Sequence, residues 1–125
     1  MARQIHIEAG EAKVIATLDG SSTAEAVWAA LPLSAAAHRW GEEIYFSIPV
    51  SLEEAPEARA EVAVGELAYW PPGQAFCLFF GPTPASRGAA PRAASPVNVF
   101  GCVVEGIEAL RSVVEGDRVR VTRAE

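Results

Sequence analysis

The sequence predicts a mostly-β fold, either a sandwich or a closed barrel. Three observations carry that prediction. Short segments with apolar residues at every second position recur along the 125 residues, which is the period of a half-buried strand. One segment alone combines a strong helix start signal with apolar residues at helical spacing. About eight short strands in so few residues would leave an open sheet with long unpaired edges, which a sandwich or barrel avoids. The length fits one domain over 1–125.

The elements follow in chain order. Residues 4–8 put Ile5 and Ile7 on one face and His6 and Glu8 on the other; Gly10 turns the chain; residues 11–18 repeat the pattern with Ala12, Val14, Ala16 and Leu18. The pair reads as a hairpin. Ser22-Thr23-Ala24-Glu25 reads as a capping box. It opens a helix that buries Ala24, Val27, Trp28 and Leu31 and stops at Pro32. Residues 34–40 and 42–49 form two strands joined near Gly41, the second with Ile44, Phe46 and Ile48 on one face and Tyr45 and Ser47 on the other.

Residues 51–61 (SLEEAPEARAE) are charged and Pro-interrupted, hence a surface loop, and 61–64 hold a short strand. Residues 65–69 form a strand that the Trp70-Pro71-Pro72-Gly73 corner ends, because two prolines cannot both donate to a ladder. Residues 75–80 are almost continuously apolar, as expected of a strand buried on both faces. A long Pro/Ala-rich loop over 81–96 leads into a strand over 97–104, a short helix over 107–113 with Ile107 and Leu110 inward, and a last strand over 117–122.

Composition excludes several functions. The net charge is −6, and the nine arginines and the single Lys13 are scattered, so a nucleic acid or an anionic membrane is not an expected partner. The alternating N-terminus is neither a signal peptide nor a membrane span, and a soluble cytoplasmic protein is the expectation. Two His and two strand cysteines do not make a metal ligand set, and no glycine-rich loop precedes a helix; no metal and no cofactor are expected. Cys77 and Cys102 read as buried, reduced thiols, a disulfide requiring neighbouring strands. Glu42 and Glu43, being sequential, point to opposite faces.

Three stretches carry a resemblance: WGEEIYFSIPV at 40–50, GELAYWPPGQAFCLFFGPTP at 65–84 and NVFGCVVEG at 98–106. Together with the order strand, strand, capped helix and then His38-Arg39, they resemble the compact cyclophilin-like proteins of bacteria and archaea, over nearly the whole chain. The resemblance implies a closed eight-stranded cyclophilin-like β-barrel with one firm and one short helix. It also implies a site. Arg39 stands where cyclophilins place the Arg that stabilises a twisting prolyl amide, a task of transition-state electrostatics, and Phe80 stands where the aromatic floor lies. Leu78 replaces a Gln, Trp70-Pro71 replace a small residue and an Asn, and Val97 replaces a His.

The candidate site is therefore Arg39, as ligand anchor and tentative catalytic residue, with Phe46, Tyr69, Trp70, Leu78 and Phe80 as lining. The leading reading is a binding module for a small molecule, apolar or apolar with an anionic group, or a short peptide. The alternative is a weak peptidyl-prolyl isomerase acting on a proline-containing peptide. A third reading has the 70–73 corner docking on another chain or on a second copy. Each residue also has a plainer role: Arg39 as a rim residue paired with Glu42 or Glu43, and the aromatics as core.

Overall fold

The computed structural model describes residues 3–124. Among the described residues there are ten strands: β1 (Arg3–Ala9), β2 (Ala12–Leu18), β3 (Leu33–Ala36), β4 (His38–Arg39), β5 (Glu43–Ser47), β6 (Arg59–Glu61), β7 (Glu66–Trp70), β8 (Ala75–Phe79), β9 (Arg92–Glu105) and β10 (Arg118–Arg123). One α-helix, α1 (Ser22–Ala30), follows the first hairpin. Its N-cap is Ser21, whose side chain accepts from the Ala24 amide at 3.1 Å. Ser22 is already helical, and Glu25 reaches Arg3 at 2.9 Å rather than returning to the cap, so the expected capping box is displaced by one residue. Two 3-10 turns, Pro71–Gly73 and Ile107–Ser112, take the places of the proline corner and the short helix.

The sheet is antiparallel and runs β3-β10-β1-β2-β9-β7-β8-β5-β4, with β6 attached to β9. Hydrogen bonds do not close it: among the described residues β3 and β4, the two ends of this path, are not paired. The expected strand over 34–40 is split at Ala37, whose amide donates to the Asp117 carbonyl at 2.7 Å while its carbonyl accepts from Gly116 at 2.8 Å. Those backbone groups serve the approach to β10 instead of a ladder. One residue separates the two sheet ends in sequence, so the sheet must curl until they meet.

Alternation sorts the residues as the sequence requires. In β1 and β2 the apolar residues Ile5, Ile7, Val14, Ala16 and Leu18 are buried, and the intervening residues are exposed or half-buried. They face an interior core completed by α1, Phe46, Phe76 and Phe100. β8 is buried at all five positions. Its second face packs in a separate outer cluster of Val62, Ala68, Ala75, Cys77, Phe79, Ala93 and Val97. Strand β9 starts at Arg92, so the loop expected over 81–96 is shorter. The start of β9 lies along β6, with a register shift between Arg59 and Glu61; the strand accommodates Pro96 beside this irregularity, as a missing ladder donor requires.

Candidate functional site

The residues expected to form one site are divided between the two faces of a single wall. Ladder register makes the division: Ile44 stands opposite Leu78, Phe46 opposite Phe76, and Tyr69 opposite Phe76 on the other side. These side chains belong to the interior core. Phe46, Tyr69, Leu78 and Phe80 are all buried there, each at most 3 % exposed. Phe46 stacks on Phe76 with ring centroids 4.9 Å apart. The Tyr69 hydroxyl donates to the Val50 carbonyl at 2.6 Å and accepts from the Leu52 amide at 3.1 Å. It pins the 48–58 segment across the end of the core, helped by Asn98, which binds the Ala55 amide and the Glu53 carbonyl.

Arg39 also sits on the inner side, at the end of the sheet. Its guanidinium lies 5.0 Å from the Phe80 ring centroid, a cation–π contact. Its Nε donates to the Gly41 carbonyl at 2.8 Å, and its Nη1 donates to the carbonyls of Arg111 and Val113 at 2.9 and 2.8 Å. The last two acceptors close the Ile107–Ser112 turn, whose terminal carbonyls would otherwise lack donors. The Arg39 amide donates to Glu115 at 2.9 Å, which together with His38 holds that carboxyl below its usual range. Arg39 is thus a strap between β4 and the 107–113 segment. It is not paired with Glu42 or Glu43 either: Glu42 faces Arg111 at 3.9 Å, and Glu43 points to the opposite face.

Trp70 alone of the expected lining lies on the outer face, where a cavity of about 250 Å³ opens. Its walls are Trp40, Glu43, Tyr45, Trp70, Cys77, Ala93, Ala94 and Val97. The hairpin joining β4 to β5 aims two of them. Trp40 and Glu43 exchange backbone hydrogen bonds at 2.9 and 3.1 Å across the turn at 41–42, so their side chains leave on one face. Gly41 permits that turn. Its φ is +61°, and a Cβ there would lie 2.8 Å from both Pro84 and Thr83, so the covering loop packs directly on the turn. Tyr45 and Cys77 form a directly opposed pair, and Cys77 is in turn opposite Ala68. Trp70 is anchored by its indole N–H, which donates to the Ser95 hydroxyl at 2.7 Å.

Glu43 is the chemical feature of this cavity. It is 5 % exposed, and no nitrogen or hydroxyl donor of the described residues bonds its carboxyl. Burial raises its pKa from 4.5 to about 7, with the adjacent Cys77 thiol drawing it slightly back. Burial pushes the Cys77 thiol up as well, and the neighbouring carboxylate adds to that, so Cys77 is not an activated nucleophile. A carboxyl held near neutrality among aromatic side chains is able to exchange a proton at physiological pH or to serve as counter-charge to a ligand.

Glu43, Trp40, Tyr45 and Cys77 lie outside the site expected from the sequence. Their signal was present in part: Glu43 shares the alternation of Tyr45, and the unbroken apolar run in β8 implied a second buried face. That β5 lies against that face of β8 is a matter of strand pairing. Both cysteines are free, but Cys102 is exposed, against the expectation of two buried thiols; in β9 it falls on the solvent side opposite Thr17. His6 is exposed, and His38 bonds Glu115 at 2.7 Å while stacking on Tyr45. Among the described residues no group of three or more His, Cys, Asp or Glu is placed to hold a metal ion, and no helix is long and apolar enough to cross a membrane.

Comparison with known proteins agrees with the resemblance. The model of the family described as Cyclophilin-like matches residues 3–122, and the chain belongs to that family. Among solved structures it is similar to the solution structure of a hypothetical protein from Archaeoglobus fulgidus, with 40% sequence identity, a TM-score of 0.84, and coverage of 98% of this chain and 95% of that one. No curated protein gives a significant match.

Proposed function

We propose that this member of the cyclophilin-like family is a cytoplasmic binding module for a small molecule, with its ligand seated in the cavity on the outer face of a sheet that closes on itself as a barrel. One observation carries the reading: among the described residues only the weak thiol donor of Cys77 reaches the buried Glu43 carboxyl. Such a group destabilises the fold unless something satisfies it, and it faces an aromatic-walled cavity, the usual construction of a ligand site. The anchor in this reading is Glu43 rather than Arg39, and the walls are Trp40, Tyr45 and Trp70. The alternative, weak prolyl isomerisation of a bound peptide, would use Arg39; with Nε and Nη1 donating to the chain's own carbonyls, that reading has less to support it.

The test is a fragment titration against ¹⁵N-labelled protein at pH 8. Binders are expected to move the indole resonances of Trp40 and Trp70 together and to leave Trp28, packed between Arg3 and Arg123, as an internal reference. Ala94→Phe, an exposed position on the cavity wall, is expected to abolish those shifts. Fragments that never move Trp40 and Trp70, or that move them equally in the Ala94→Phe protein, overturn the proposal.

A further inference from the structure

We infer that the outer cavity takes a small organic cation, a substituted ammonium group held among Trp40, Tyr45 and Trp70 with Glu43 as its counter-charge; the inference rests on that cavity being the binding site. The composition of the wall decides the sign of the ligand. Three aromatic side chains and one carboxyl line it, with Cys77, Ala93, Ala94 and Val97, and it contains no Arg, Lys or His. The arginines of β6 and of the start of β9 do not line it and are paired elsewhere: Arg59 with Glu66 at 3.1 Å and Arg92 with Glu61 at 3.2 Å. An anionic ligand would meet an uncompensated carboxyl, which reverses the sequence-based expectation of an Arg-anchored, partly anionic ligand. A cation gains twice, from the aromatic rings and from a carboxylate in surroundings of low polarity.

Size narrows the class further. About 250 Å³ is room for roughly eight water-sized groups at about 30 Å³ each, so a compact substituted ammonium fits and a nucleotide or a long peptide does not. Binding should also be coupled to pH. Glu43 holds its proton up to about pH 7, and a cation must displace it. The other titratable groups facing Glu43 are Cys77 on β8 and Tyr45 on its own strand, with His38 of β4 behind the Tyr45 ring. The lining contributed by β7 and β9, namely Trp70, Ala93, Ala94 and Val97, does not titrate.

Choline and 3,3-dimethylbutan-1-ol share a shape and differ in charge, so the pair isolates the inference. Each is titrated at pH 8 and pH 6 while the Trp40 and Trp70 indole resonances are followed. Choline is expected to bind at least tenfold more tightly than the alcohol at pH 8. Its advantage is expected to shrink severalfold at pH 6 and to vanish in Glu43→Gln, which keeps the shape of the side chain. Equal affinities, or a choline advantage that survives Glu43→Gln, overturn the cation while leaving the cavity as the binding site. Neutral fragments that bind where choline does not have the same consequence. If neither probe nor any fragment moves Trp40 and Trp70, the cavity reading falls and the cation with it.

Discussion

The two faces of the wall made by β5, β8, β7 and β9 treat buried polar groups in opposite ways. On the inner face, the Tyr69 hydroxyl and the Asn98 amide are buried and bonded to backbone of the 48–58 segment. On the outer face, Glu43 is equally buried and has no such partner, and a cavity opens beside it. At Tyr69 and Asn98 the inner face follows the rule for a stable core, in which buried polar atoms are satisfied; at the sheet end, Glu42 Oε1 is buried without a hydrogen-bond partner, 3.9 Å from the Arg111 guanidinium. The outer face departs from it, and departures of that kind concentrate where a protein meets a ligand. Resemblance to cyclophilins points to Arg39 and Phe80, which belong to the inner side; a buried carboxyl beside an aromatic cavity points to the outer one.

The sharpest way to break this contrast is to remove packing from the inner face. Phe76 is fully buried, stacked on Phe46 and set edge-on to Phe100 at 5.1 Å. Phe76→Ala is expected to cost about 3–5 kcal/mol, read from the midpoint of urea unfolding. A loss below about 1 kcal/mol would mean that the inner face is not the close-packed one.

The next largest effect has the opposite sign. In the folded state Glu43 keeps a proton up to about pH 7 that the unfolded chain releases near 4.5. Its folded pKa is raised, so the folded state binds more protons between those values. Stability is therefore lost as pH rises from about 4.5 to about 7 and stays low above that. Glu43→Gln removes this contribution. The variant is expected to match the wild type near pH 4 and to exceed it by up to about 3 kcal/mol at pH 8. A difference that does not change with pH would show that the carboxyl is satisfied after all.

A smaller effect tests the satisfied face. Tyr69→Phe leaves the buried Val50 carbonyl and Leu52 amide without their partner and is expected to cost about 1–3 kcal/mol. Because the hydroxyl holds the 48–58 segment, amide exchange should accelerate at Leu52 before it does in β1 or β2. Unchanged exchange there would deny the hydroxyl its anchoring role.

Much of the fold was legible in particular residues. The alternation of Ile5 and Ile7, and of Val14 and Ala16, fixed which side of β1 and β2 is buried. The apolar run over β8 announced a strand covered on both sides, and Ala24 and Val27 marked the buried stripe of α1. Other features were misread because two local signals compete at short range. Ser21 and Ser22 are both competent N-caps, and Ala37 interrupts a run that reads as one strand. The proline-rich stretch before Pro96 resembled a loop because a bulged, partly paired strand tolerates the same residues.

What the sequence determined by itself is the family, the mostly-β character and the buried face of the alternating strands β1, β2 and β5, since these depend on period and local chemistry. What only the tertiary structure decided is which faces meet. Glu43 and Cys77 lie 34 positions apart and become neighbours because β5 pairs with β8, with Tyr45 opposite Cys77. Arg39 was a plausible anchor until the carbonyls of Arg111 and Val113 took up its guanidinium. Desolvation of Glu43 likewise exists only once β9 and the loop before it cover the outer face. A charge that is ordinary in the sequence becomes the distinctive group of the fold because its neighbours offer it no donor stronger than a thiol.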